Sequence, residues 1–170
     1  LQRSLPYLDQ RTLAEICSEA WGGDYTSEDE DSARFVAGDV GPFVVKAPDG
    51  MFLVHRMDQP YWDDMESLLE DVRELRMMHL LKEHTGWMSV DLLNPTIPEG
   101  RARESYYPQI ARLLVELANE DTLAVIWPEK RLFAPWTEDS EQRLRSLEPL
   151  AVFEERQFAP VVRISGDDPR

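Results

Sequence analysis

The stretch His79-Leu80-Leu81-Lys82-Glu83-His84 brings two imidazoles and a carboxylate together, side chains that hold zinc when a helix presents them on one face. Helical zinc motifs of the HExxH and HxxEH kinds set their histidines four apart for that reason. Here the separation is five, about 140° around a helix, so the two rings diverge. Glu83 lies four after His79 and shares its face, which leaves a pair rather than a ligand set. His79 falls on an apolar stripe and reads as a core histidine, whereas His84 follows a helix end, where a cation meets the negative end of the dipole. His55 lies in a strand pattern, two residues from Leu53 on the same face. Just beyond it, Asp58, Asp63 and Asp64 surround Tyr61-Trp62. Carboxylates so placed could bind a cation or polarise a substrate, with the aromatic rings as a platform. Adjacent Asp residues at a helix start equally serve as cap and first turn. His55, Asp58, Asp63 and Asp64 are thus the candidate catalytic residues, for metal-assisted or acid/base chemistry where a hairpin meets a long helix.

Other reactive groups are sparse. Glu28, Asp29, Glu30 and Asp31 lack the alternating spacing and the glycine of a calcium loop, so they read as a solvated acidic loop. With Trp62 they are the candidate interaction residues. Cys17, the single cysteine, sits among apolar helical positions and reads as a buried small hydrophobe. It excludes an intrachain disulfide and a zinc ribbon alike. No G-x-G-x-x-G, no G-x-x-x-x-G-K-[ST] and no G-x-S-x-G occurs, and Ser89 lies inside a strand pattern rather than on a glycine-flanked turn. No cofactor or resident metal is expected.

Charge narrows the partners. The 170 residues carry 33 Asp+Glu against 18 Lys+Arg, a net −15, with 42% apolar residues. Residues 24–31 and 58–71 contain no basic residue and hold eleven of those fifteen net charges. Nucleic-acid binding draws on cations that neutralise phosphates, and anionic lipid repels such a surface, so neither partner is expected. A basic protein is. No apolar run approaches the ~20 residues of a membrane span, and no signal peptide opens the chain, so a cytoplasmic location is the expectation. The opening on Leu1 rather than Met fits a processed chain or a module of a longer protein.

The elements that position these residues follow from periodicity. Residues 3–8 read as a short edge strand with Pro6 at its margin. Asp9 caps a helix whose Leu13, Ile16, Cys17, Ala20 and Trp21 share a face, and Gly22-Gly23 stop it. A strand over 33–37 precedes FVVKA (43–47) and MFLVHRM (51–57), which flank Pro48-Asp49-Gly50 as a three-residue hairpin loop. One long helix is predicted from Asp63 or Asp64 to Glu83, with Met65, Leu68, Leu69, Val72, Leu75, Met78 and His79 inward. A strand over 87–93, a loop over 94–105 and a helix over 106–119 follow, the helix facing inward through Ile110, Leu113, Leu114 and Leu117. TLAVIW (122–127) is an apolar strand to which RLF (131–133) pairs back; Thr137 caps a last helix, and 150–153 and 158–164 read as strands. The five tryptophans each border an element and seal layers of core. The class is α+β: a mixed, largely antiparallel sheet with three to four helices mainly on one face, forming one domain over 1–153 and an extension or edge strand with a frayed tail over 154–170.

TLAEICSEAWGG (12–23), the hairpin ending in Asp58-Gln59-Pro60, HTGWMSVDLL (84–93) and YYPQIARLLVELANEDTLAVIWPEKRLFAP (106–135) together resemble a bacterial family, the domain of unknown function 4261 family, over residues 5–153. The acidic insert at 24–31 and the tail after 154 depart from it. The resemblance implies an α+β domain and transfers no catalytic residue. The sequence therefore points to a non-catalytic domain acting through protein–protein contacts, with an enzyme site at 55–64 as the alternative.

Overall fold

The computed structural model describes residues 1–39, 41–72, 75–93, 104–130 and 132–154. The loop expected over 94–105 falls largely outside them, as do the strand expected over 158–164 and the tail. The fold is α+β, built on two antiparallel sheets rather than one.

The first helix, α1 (Gln10–Trp21), begins where Asp9 accepts the Thr12 N–H at 2.8 Å, and that bond holds the Asp9 carboxyl below its usual pKa. Gly22 ends it at φ 73°, a left-handed backbone that a side chain would strain. Strands β1 (Phe35–Ala37), β2 (Phe43–Ala47), β3 (Gly50–Met57) and β4 (Trp87–Leu92) form the larger sheet in the order β1-β2-β3-β4. The β2–β3 register pairs Ala47 with Gly50, so the turn has two residues, Pro48 and Asp49, and Gly50 belongs to the strand. A Cβ on Gly50 would stand 3.2 Å from the Tyr106 ring, whose hydroxyl donates to the Asp49 carbonyl at 3.0 Å. Glycine here makes room for a ring rather than for a bend.

The long helix divides into α2 (Met65–Asp71) and α3 (Leu75–Glu83). Val72, Met77 and Leu81 are buried, while Leu75 is 72% exposed and His79 is exposed. Val72 and Met77 are five apart, which one continuous helix would turn about 140° from each other; the break resets the phase. His79 is therefore a surface residue, and the buried histidine is His84, at 4% exposure. Helix α4 (Tyr107–Glu116) has Pro108 in its first turn, where no N–H is needed. Strands β5 (Ala124–Trp127) and β6 (Leu132–Pro135), joined by a 3₁₀ turn over Pro128–Lys130, make the second sheet. Thr137 and Ser140 form a reciprocal cap on α5 (Glu138–Leu144). Residues 151–154 are helical, α6 (Ala151–Glu154), rather than a strand; Val152 and Phe153 reach the core from it.

Three apolar clusters result. Alternate residues of the larger sheet, among them Val36, Phe43, Val45, Phe52, Val54 and Val90, pack on α1 and on Leu113 and Leu117 at the α4 end. Leu1, Val72, Met77, Leu81, Ala124 and Phe133 join α2 and α3 to one face of the smaller sheet. Its other face packs on Ala111, Val115, Leu144, Val152 and Phe153. No edge strand forms over residues 3–8. Gln2 instead makes single antiparallel bridges to Gly86 and to Thr122, and the Pro6 carbonyl accepts from Arg56 Nε at 2.9 Å. No helix among the described residues is long and apolar enough to cross a membrane.

Candidate functional site

A cleft of about 360 Å³ lies between β4 and β5. Every residue of β4, Trp87 to Leu92, lines one side, and Val125, Ile126, Trp127 and Pro128 line the other. Side chains of a strand alternate between two faces, so a cavity touched by consecutive residues runs along the strand's edge. Helix α4 supplies the floor through Tyr107, Ile110, Ala111 and Leu114, the i, i+3, i+4, i+7 set of one helical face. Leu1 closes one end, and Leu150 and Phe153 contribute to the wall.

The polar groups of the cleft gather on the side away from α4. His55 and Ser89 are cross-strand partners in the β3–β4 register, and Asp91 follows Ser89 on the same face. Ser89 Oγ donates to Asp91 Oδ2 at 2.7 Å and lies 3.2 Å from His55 Nδ1, which is itself 3.7 Å from Asp91 Oδ2. The serine proton is committed to the carboxylate, so Ser89 Oγ can only accept from His55 Nδ1, while Asp91 lies beyond hydrogen-bond reach of the ring. A nucleophilic serine needs the reverse order, with the imidazole between hydroxyl and carboxylate to take the proton. The Trp87 ring meets His55 edge-on at 6.2 Å and Tyr61 at 5.2 Å. Burial, and secondarily the Asp91 carboxylate, raise the Tyr61 phenol above its ordinary pKa. The arrangement offers hydrogen bonds, one carboxylate and aromatic faces, without an activated nucleophile.

The residues singled out from sequence are placed apart. His55 lies in the cleft with Ser89 and Asp91. Asp58, Asp63 and Asp64 are exposed on the segment between β3 and α2. Trp62 is half-buried, its ring against Tyr61 at 4.8 Å and against His84 at 5.7 Å, with its Nε1 buried and unpartnered among the described residues. Glu28, Asp29, Glu30 and Asp31 are exposed on a turn in which Asp29 Oδ1 accepts the Asp31 N–H at 3.1 Å; the neighbouring Thr26 pairs with Phe35 on the outer edge of β1. That turn flanks the sheet margin opposite β4. His84 is a structural tie: its Nδ1 donates to the Leu81 carbonyl, and its Nε2 accepts the Tyr61 N–H at 3.0 Å. Burial lowers its pKa below the ordinary histidine value. Burial also pushes the Cys17 thiol up to about 12, so it stays protonated. Among the described residues, no three His, Cys, Asp or Glu side chains are grouped to hold a metal ion.

Ser89, Asp91 and the α4 floor are not legible as a site in the sequence. Ser89 and Asp91 carried a signal, two polar residues alternating in an apolar strand, but only the register sets them beside His55. No family model, no curated protein and no solved structure matches this chain.

Proposed function

We propose that this protein is a non-catalytic interaction module that holds a basic protein partner at the β4–β5 cleft. One observation carries the reading: among the described residues the cleft is lined almost wholly by apolar side chains, and its one carboxylate, Asp91, accepts the serine proton that a nucleophile would have to release elsewhere. Apolar walls with a few convergent polar groups are what a binding site needs. The net charge of −15 adds a long-range field that draws cationic partners and repels polyanions. In this reading the Glu28–Asp31 turn, at the far sheet margin, steers rather than touches. The suggested kinship with the domain of unknown function 4261 family assigns no residue a role and leaves the reading unchanged.

Selection of random displayed peptides on the intact chain tests it, with Leu114→Glu as the counter-target. Enrichment of basic, apolar sequences supports the module, provided their binding weakens as the Debye length falls from ~30 Å to ~3 Å between about 0.01 and 1 M salt. Sequences that bind Leu114→Glu equally well, indifferent to salt, would overturn it.

A further inference from the structure

We infer that His84 is a proton-operated latch on one wall of the β4–β5 cleft: its neutral ring holds the Tyr61–Trp62 segment in place, and its protonated ring lets that segment go. What the latch regulates rests on the interaction reading above; the latch itself lies among the described residues and does not. The segment is residues 58–64, the crossing from the end of β3 to the start of α2. Its middle residue, Tyr61, lines the cleft, with its ring edge-on to Trp87 at 5.2 Å. The next residue, Trp62, meets the His84 ring at 5.7 Å. The main chain here is tied to the end of α3 by the bond from the Tyr61 N–H to His84 Nε2 at 3.0 Å.

The latch follows from the way the ring uses both of its nitrogens. Nδ1 donates to the Leu81 carbonyl, so the proton of the neutral ring sits there and Nε2 keeps the lone pair that Tyr61 needs. A second proton can go only to Nε2, where it points at the Tyr61 N–H. Two donors then face each other with no acceptor between them, on a residue only 4% exposed. The ring is anchored in α3, through the Leu81 carbonyl and through its own N–H to the Leu80 carbonyl at 3.3 Å. The segment is therefore what yields.

The charges of the surrounding elements do not reverse this. On α3, Lys82 and Glu83 are exposed, and Glu83 pairs with Arg3 at 2.8 Å. Asp58, Asp63 and Asp64 on the segment are exposed, as are Glu66 and Glu70 on α2. β4 and the smaller sheet meet this cluster through Trp87, Ala124, Ile126 and Phe133, which carry no charge. Burial lowers the His84 pKa below its ordinary value, the Leu81 bond opposes that shift, and the Leu1 ammonium adds to it. The latch is thus closed at neutral pH and opens as pH falls through the lowered value.

The test follows the wild-type chain by nitrogen-15 NMR from about pH 7.5 down to the onset of acid unfolding. The His84 Nε2 resonance and the Tyr61 amide are expected to shift with one common midpoint, below pH ~6.5. Across it, protection of the Tyr61 amide, corrected for the intrinsic exchange rate, is expected to fall about tenfold, while amides of β2 and β3 keep theirs. His84→Gln sets an amide oxygen close to the place of Nε2 and takes up no proton, so its Tyr61 amide is expected to stay protected throughout. His84→Asn reaches only the Leu81 carbonyl and is expected to leave Tyr61 unprotected at every pH. Should neither variant fold, the wild-type titration answers by itself. A His84 ring that takes up no proton before the chain unfolds overturns the latch. So does Tyr61 protection that is unchanged across the His84 midpoint, that falls together with protection in β2 and β3, or that falls as far in His84→Gln. No partner enters this measurement. Failure of the displayed-peptide selection therefore removes the module and leaves the latch, whereas an unchanged Tyr61 amide removes the latch and leaves the module.

Discussion

Among the described residues, the gap between β4 and β5 is closed at one end by Leu1 and Gln2 and holds a cleft at the other, although the same two strands border it throughout. At the sealed end, two residues satisfy the backbone of both edges, and Leu1 lies in the cluster with Met77, Leu81 and Phe133. At the cleft end, Met88, Val90, Leu92 and Ile126 line a cavity floored by α4. Helix α4 shows the difference within two neighbouring residues: Leu113 is fully buried under the larger sheet, whereas Leu114 is half-buried and faces the cleft. A sheet edge becomes core only when a strand covers it. Where no described residue does, apolar side chains and the strand edge line a cleft.

The comparison breaks most readily at Leu113. Leu113→Ala opens a cavity beneath the sealed sheet and is expected to cost about 2–5 kcal/mol in urea unfolding. A loss well under that range would mean that α4 is loosely held throughout and that the contrast is unreal. Next comes Gly86→Val at the seam. Even a Cβ there meets the Leu5 side chain at 2.6 Å and the Met57 carbonyl at 3.0 Å, and the overpacking is expected to cost about 1–3 kcal/mol. Amide exchange at Gln2 should quicken with it, while exchange within β2 and β3 stays put. Leu114→Ala sharpens the contrast from the other side. Removing a side chain already half in water is expected to cost about 1 kcal/mol in unfolding, and its larger effect should fall on peptide binding.

The smallest effect is that of pH. Burial favours the neutral form of His84 in the fold, and a proton on Nε2 would also set one N–H against the Tyr61 N–H. The unfolded chain takes up that proton near pH ~6.5, so this contribution is complete above that value and is lost as pH falls through it toward the lower folded pKa. His84→Asn keeps a donor for Leu81 and removes the titration. The drop in urea midpoint between about pH 7.5 and about pH 5.5 should be smaller in that variant than in wild type. An identical drop would detach His84 from the seam that Thr85 and Gly86 make with Gln2.

The parts of the fold governed by local rules could be read from the chain. Asp9, Leu13, Cys17 and Gly22 define α1 from cap to stop, and the β2–β3 hairpin is announced by two apolar runs around Pro48-Asp49. The α+β class follows from the order of such elements. The break between α2 and α3 was hidden because Leu75 and Met78 extend the stripe of Met65, Leu69 and Val72 in phase, while the packing that counts uses Met77 and Leu81. That phase error also exchanged His79 for His84 as the buried imidazole. Of the candidate site, His55 is legible in the sequence, but its companions are not. Ser89 and Asp91 join it through strand register, and the cleft exists because Gln2 reaches two segments far along the chain. Neither relation leaves a periodic trace.

The recess of the β4 edge has a consequence for what can reach it. An edge lying flush with the surface pairs with any neighbouring sheet, and two copies of a protein can join that way. Here the edge lies in a cleft, with α4 on one side and Tyr61 on the other. Set back in this way, the β4 edge is not presented to a neighbouring sheet as a flush edge would be.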